Sequence, residues 1–285
     1  MCPPSDIPCV RLIRKQRLLW ALALSLSAWP LLAQNGVYSP RFGMGHRPDV
    51  TVVQSSNVGP PAVVAEENCF PWRISEARGT TVSAARLKVP PQALREYKGA
   101  CDAYANNKFD DAEQHARAAI GKFQNYSAAW VLLGLSLEGQ QKAQEARDAC
   151  SHAAAADATY LPAYLCAAEV SSQNQEWKEV VGSADQALSV QSEGVSYPYY
   201  YRAKAYLHLN NLAEAQKSAL RAIDIDVDHS DPSLYFVLAQ IYQREGDTAA
   251  AIAQLQQLLN HNPDALQAEM AKQLMAKLQS QQSAK

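Results

Sequence analysis

The chain has 285 residues, enough for one or two domains, and 48% of them are hydrophobic while 19% are charged, as in ordinary globular proteins. The formal net charge is −2; the first 17 residues carry +3, so the remainder carries −5. Because a nucleic-acid partner requires a basic surface, this balance argues against DNA or RNA binding.

The amino-terminal segment has the layout of a secretory signal peptide. A basic stretch at residues 11–17 precedes the apolar run LLWALALSLSAWPLLA, and Ala33 is a small residue suited to cleavage. The run of 16 residues is short for a membrane-spanning helix, which needs about 20. We expect residues 1–33 to be a signal peptide that directs export to the periplasm or cell envelope of a bacterium. An uncleaved anchor in the inner membrane is the alternative, and it would be the chain's one link to a membrane.

Residues 34–91 are predicted to form an extended or disordered arm and a connector. Residues 34–79 are rich in Pro, Gly, Ser and Asn, and they show no helical period and little apolar mass. Such a stretch cannot bury enough surface to offset the entropy lost on ordering. The connector, residues 80–91, ends at Pro90 and Pro91. A small catalytic or carbohydrate-binding module in this arm is an alternative that the low apolar content disfavours.

Small residues recur with a spacing of 34 to 36 positions from residue 92 onward, in three ladders. The first ladder is Ala112, Ala146, Val180, Ala215 and Ala251. The second lies twelve positions earlier, at Ala100, Gly134, Ala168, Ala203 and Ala239, and the third seven positions later, at Ala119, Ala153, Ala187, Ala222 and Leu258. A period near 34 is typical of helix–turn–helix repeats that stack into a solenoid.

These repeats resemble the tetratricopeptide repeat family. The match covers residues 93–126, 127–160, 161–194, 196–229 and 232–265, and the bulky fourth position of the family holds Trp130, Tyr164, Tyr199 and Tyr235 in the last four repeats. The resemblance implies an all-α solenoid over residues 92–281, wound as a right-handed superhelix. Residues 265–281 are predicted to form an amphipathic capping helix with Leu266, Met270, Leu274 and Leu278 on one face.

The resemblance also implies a concave groove that binds a protein or peptide segment, lined by the first helix of each repeat. Transferred to this sequence, the family's groove positions are Tyr97, Cys101, Tyr104, Val131, Leu135, Glu138, Leu165, Glu169, Tyr197, Tyr200, Lys204, His208, Phe236, Gln240 and Arg244. Aromatic residues and arginine are enriched at binding hot spots. The tyrosines of the segment SYPYYYRAKAY have a second interpretation, as packing residues of the core. The family's clamp for a terminal carboxylate is not implied, because Tyr97, Cys101 and Val131 replace its Lys, Arg and Asn.

Four cysteines remain after loss of the signal peptide: Cys69, Cys101, Cys150 and Cys166. Buried thiols are the simpler interpretation, above all for Cys150, which holds an inward repeat position. An exported compartment also permits a disulfide, and four cysteines allow three pairings.

No motif indicates catalysis. The six histidines lack the spacing of metal ligands, and no GxSxG, Walker or GxGxxG sequence is present. We therefore expect no catalytic residues, no metal and no cofactor. The sequence predicts an exported scaffold for a protein partner, in envelope assembly or secretion. The alternatives are a regulatory subunit of an enzyme on another chain and a membrane-anchored adaptor.

Overall fold

The computed structural model describes residues 69–72, 88–191 and 193–283. These residues form eleven α-helices and no strand. None of these helices combines the length and apolar character needed to cross a membrane. The predicted signal peptide and most of the predicted arm lie outside the described residues.

The helices follow one another as antiparallel pairs, one pair for each predicted repeat. The first four are α1 (Pro91–Ala105), α2 (Phe109–Lys122), α3 (Ser127–Gly139) and α4 (Ala143–Ala156). The next four are α5 (Leu161–Gln173), α6 (Trp177–Val190), α7 (Tyr197–His208) and α8 (Leu212–Ile225). The last three are α9 (Ser233–Glu245), α10 (Thr248–Asn260) and the cap α11 (Ala265–Ser283). The predicted all-α solenoid is confirmed.

The turn inside each pair places one residue in the left-handed backbone region. These residues are Asn107, Gln141, Gln175, Asn210 and Gly246, with φ between 57° and 85°. They repeat with the period of the small-residue ladders, so every pair reverses direction at the same point. In the first repeat, Pro91 begins α1 instead of closing the connector, because a proline needs no hydrogen-bond acceptor at the first helical position.

The small-residue ladders lie where the helices approach most closely. Their alanines and Val180 are completely buried, and Leu258 is buried as well. At Gly134, an added Cβ would lie 2.8 Å from the sulfurs of both Cys150 and Cys166. The predicted reason for the ladders, close approach of paired helices, is therefore confirmed.

Polar pairs fix the register of successive repeats on the surface. Lys142 lies 3.0 Å from Glu113 of the preceding repeat, and Arg147 lies 2.7 Å from Glu176 of the following one. The two pairs occupy equivalent positions of the repeat with their charges exchanged. At this contact between neighbouring repeats, the acidic partner can therefore come from either the earlier or the later repeat.

The capping helix packs on a face that differs in part from the predicted one. Ala271 and Leu278 are buried against α10, with Leu274 and Met275 packed beside them, whereas Leu266 is 57% exposed. The prediction for Leu266 is wrong because a spacing of four residues drifts about 40° around a helix at each step. Leu266 and Leu278 therefore cannot share one face.

Two disulfides cross-link the amino-terminal half of the solenoid. Cys150 of α4 is bonded to Cys166 of α5, which joins the second repeat to the third. Cys69 of the predicted arm is bonded to Cys101 of α1. The structure thus favours the alternative of disulfides over that of buried free thiols, and it selects one of the three possible pairings.

Candidate partner-binding groove

The first helices of the repeats form the inner surface of the solenoid. α1, α3, α5, α7 and α9 approach one another more closely than the second helices do. When the helices of one row lie closer together than those of the other row, the whole stack curves toward the closer row. The first helices therefore line a concave face, and the residues predicted for the groove lie on them.

The predicted groove residues fall into two groups by exposure. Six are buried: Tyr97, Val131, Leu135, Leu165, Glu169 and Tyr197. Nine are half-buried or exposed, and the majority of these belong to the fourth and fifth repeats: Cys101, Tyr104, Glu138, Tyr200, Lys204, His208, Phe236, Gln240 and Arg244. Burial is therefore concentrated in the first three repeats, which are called the covered half of the groove, whereas the last two repeats carry most of the accessible residues and are called the accessible half.

Part of the predicted arm lies in the covered half of the groove. Phe70 and Trp72 are only 7% and 3% exposed, and both belong to the hydrophobic cluster that spans the first three repeats and reaches α7 of the fourth. Cys69 contacts α1 twice, through its bond to Cys101 and through a 3.2 Å hydrogen bond that its Sγ accepts from the Tyr97 hydroxyl. Residues 69–72 of the predicted arm therefore pack on the solenoid, because two large aromatic side chains and a cysteine give this short segment enough to bury.

The Trp72 indole ends a chain of hydrogen bonds in the groove. Its Nε1–H donates to the Tyr201 hydroxyl at 2.8 Å, and that hydroxyl donates to Oε2 of Glu169, also at 2.8 Å. The side-chain amide of Gln173 donates to the other carboxylate oxygen of Glu169. A buried carboxylate requires such donors, since burial without partners costs several kcal/mol. The segment thus contributes to an arrangement that holds Glu169 inside the protein.

The covered half of the groove is acidic. Burial, and then the neighbouring Glu169, raise the pKa of Glu138 to about 7. Burial, followed by Glu169 and Glu138, also raises the pKa of the Tyr104 hydroxyl. Burial lowers the pKa of Lys204 on the next repeat, and Glu169 partly opposes this effect. A cationic group that entered this region would relieve the repulsion between the two glutamates.

The accessible half of the groove is basic. His208 stacks on Trp177, with ring centroids 3.8 Å apart. Burial lowers the pKa of His208, and the positive charges of Lys204 and Arg244 lower it further. Phe236 of α9, which lies between His208 and Arg244 in the sequence, adds an aromatic side chain. The two halves therefore present opposite charges along one surface.

The described residues contain no cluster of three or more His, Cys, Asp or Glu side chains placed to hold a metal ion. What this arrangement offers is hydrogen bonding, charge and apolar surface, which are the means of binding.

Trp72 is a residue of the candidate site that the sequence analysis does not identify. The segment NCFPWR carried a usable signal, because a cysteine and two aromatic side chains stand within an arm that is otherwise poor in apolar residues. Tyr201 is buried, as the packing interpretation of SYPYYYRAKAY requires, but its hydroxyl also bridges Trp72 and Glu169.

Comparison with known families decides the class of the protein. Profiles described as tetratricopeptide repeat match residues 97–160, 197–229 and 232–264. The chain is a tetratricopeptide repeat protein. A search of curated protein sequences finds no match.

Solved structures share the fold of this tetratricopeptide repeat protein at low sequence identity. TTC0263, a thermophilic protein of Thermus thermophilus, superposes with a TM-score of 0.56 at 17% identity, over 65% of this chain and 98% of its own. Pseudomonas aeruginosa pilF gives 0.57 at 11%, over 67% and 86% of the two chains. MamA of Desulfovibrio magneticus RS-1 gives 0.51 at 12%, over 62% and 98%. Identities this low show the fold alone.

Membership of the tetratricopeptide repeat family defines the general role of the chain. Repeats of this kind form scaffolds for protein–protein interaction, and this chain is such a scaffold. The fold is typical of non-catalytic proteins.

Proposed function

We propose that this protein is an exported bacterial scaffold that binds a segment of a partner protein in its concave groove, in envelope assembly or secretion. The observation that carries the proposal is the accessible half of the groove. There an aromatic residue, Phe236, lies on the same face as Lys204, His208 and Arg244. Aromatic side chains and arginine supply much of the binding energy at protein interfaces. An extended segment or a helix with an apolar anchor and acidic residues fits this surface.

Two observations support export. The amino-terminal sequence has a basic stretch followed by a short apolar run, as secretory signals have. All four cysteines that follow the signal are paired in disulfides, and such bonds persist in oxidising compartments such as the bacterial periplasm.

The groove is tested by affinity capture of the partner from envelope extract, with the full chain as bait. A Phe236→Ala, Arg244→Ala double variant removes an apolar and a cationic side chain from the groove. The matched control, Leu220→Ala with Arg221→Ala, removes the same kinds of side chain from exposed positions of α8. We expect recovery of the partner to fall at least tenfold for the groove variant and to stay unchanged for the control. Equal recovery by the groove variant and wild type, with helical content intact, would contradict the proposal.

Export is tested by fractionation of cells that produce the full chain. We expect the protein in the periplasmic or envelope fraction, with Gln34 as its first residue after cleavage. An amino terminus upstream of residue 18 in a membrane fraction would instead indicate the anchor, and recovery in the cytosol would contradict export.

A further inference from the structure

The covered half of the groove already holds a peptide, which is the segment of residues 69–72. All of its partners assigned above lie on first helices: Tyr97 and Cys101 on α1, and Tyr201 on α7. Its two aromatic side chains are buried in the cluster that spans the first three repeats and reaches α7 of the fourth. A segment in this place occupies the surface on which a partner would bind.

We propose that residues 69–72 are an intramolecular ligand of the groove, and that the partner displaces them with a segment of the same chemistry. That segment carries a tryptophan whose indole N–H donates to Tyr201, next to a second aromatic residue and a proline. The proposal deepens the proposed function and rests on it, since it names the partner chemistry for the covered half of the same groove.

The chemistry of the site selects this occupant. The hydroxyl of Tyr201 donates to Glu169, so its oxygen is left to accept a hydrogen bond from the ligand. The ligand must therefore supply a donor at the end of a flat apolar side chain, and the Trp72 indole does so at 2.8 Å. A phenylalanine fits the apolar surface but leaves the hydroxyl oxygen without this donor, at a cost typical of a lost buried hydrogen bond.

The disulfide between Cys69 and Cys101 sets how strongly the segment competes. A short covalent tether holds a ligand near its site at an effective concentration in the millimolar range. A partner segment in solution must overcome that concentration while the bond is intact. Removal of the bond weakens the competition and leaves the aromatic contacts in place.

The test measures binding of a fluorescent peptide, Asn-Ser-Phe-Pro-Trp-Arg, which copies residues 68–73 with serine for Cys69. A tether-cut variant carries Cys69→Ser and Cys101→Ser in the full chain. An opened variant adds Trp72→Ala, and a matched control adds Trp130→Ala instead, which removes an indole that donates to the Gln124 carbonyl. We expect the opened variant to bind the peptide at least tenfold more tightly than the tether-cut variant or the control. Wild type should bind it most weakly.

Two further measurements make the result specific. A peptide with alanine for the tryptophan should lose binding, and Tyr201→Phe in the opened variant should weaken binding of the parent peptide about fivefold. Circular dichroism checks the fold, and Trp72→Phe, which keeps a ring in the site, replaces Trp72→Ala if that variant unfolds. The proposal is overturned if the opened variant binds the peptide no better than the tether-cut one, or if Tyr201→Phe has no effect. If the peptide test fails while partner capture still depends on Phe236 and Arg244, this inference is wrong and the proposed function still holds.

Discussion

Replacement of Gly134 by alanine tests the close approach between α3 and the Cys150–Cys166 bond. Gly134 belongs to the second small-residue ladder and lies within α3. The added Cβ would lie 2.8 Å from each sulfur and 3.2 Å from the carbonyl oxygen of Ala146, whereas ordinary contact begins at 3.4 Å. Neither sulfur can move away freely, because the bond joins two packed helices.

The magnitude follows from two opposing effects. Overpacking of this kind costs about 1–3 kcal/mol. Alanine is favoured over glycine within a helix by about 1 kcal/mol, which offsets part of that cost. We expect Gly134→Ala to lower the free energy of unfolding by up to about 2 kcal/mol. Gly182 within α6 is the matched control, because an added Cβ meets nothing within 4 Å there. Gly182→Ala should therefore raise the free energy of unfolding by about 0.5–1 kcal/mol.

Urea unfolding of both variants and wild type, followed by circular dichroism, measures the difference. A third measurement places Gly134→Ala in a Cys150→Ala, Cys166→Ala background, which removes both sulfurs. In that background the destabilisation by Gly134→Ala should largely disappear. The difference between the effects of Gly134→Ala with and without the sulfurs is the coupling energy between position 134 and the disulfide. If Gly134→Ala proves as stabilising as Gly182→Ala in the oxidised protein, the close-packing explanation of the ladders is incorrect.

Three further predictions concern pH, the cap and the turns. The pKa of Glu138 is raised to about 7, so the folded protein holds a proton that the unfolded chain releases near pH 4.5. The free energy of unfolding therefore falls as the pH rises from about 4.5 to about 7. The total decrease is up to about 3 kcal/mol. Glu138→Gln should match wild type in urea unfolding at pH 4 and exceed it at pH 8, and an equal difference at both pH values would refute this origin. Leu278→Ala should cost about 2–3 kcal/mol in the same assay, whereas Leu266→Ala in the same helix should stay within about 0.5 kcal/mol, because only Leu278 is buried. Gln175→Gly should raise the thermal midpoint slightly, because its φ of 61° favours glycine, while Gln186→Gly within α6 should lower it; a loss at both positions would contradict the role of the turn.

The repeat architecture was predictable because one physical requirement recurs five times. Paired helices approach closely only across small side chains, and a requirement repeated every 34 to 36 residues stands out from local variation. The turns carry the same period in their left-handed residues, but four of these five are Asn or Gln instead of Gly, so composition alone did not mark them. The face of the capping helix was harder to assign, since two nearby apolar stripes compete over its length.

The sequence predicts which helices carry the groove residues, but it does not predict which of these residues are buried. Repeat register identifies which residues face inward, and Val131, Leu135 and Leu165 do lie on first helices. It does not identify the packing of residues 69–72 on the first helices, because that segment is distant from its partners in sequence. Trp72 and Tyr201 are 129 residues apart, and no periodicity relates one to the other. Contacts of this kind are set by tertiary structure, and a composition-based interpretation of the arm overlooked them.

The location of the two cross-links has a mechanical consequence. Cys166 is the last cysteine of the chain, so no disulfide fastens the fourth and fifth repeats to their neighbours. A force applied at the carboxyl terminus would peel the cap and then these repeats one after another, and the unravelling would meet its first covalent stop at the bond between α4 and α5. The end of the protein with the accessible basic surface is thus the compliant end, and the end that holds residues 69–72 is the rigid one.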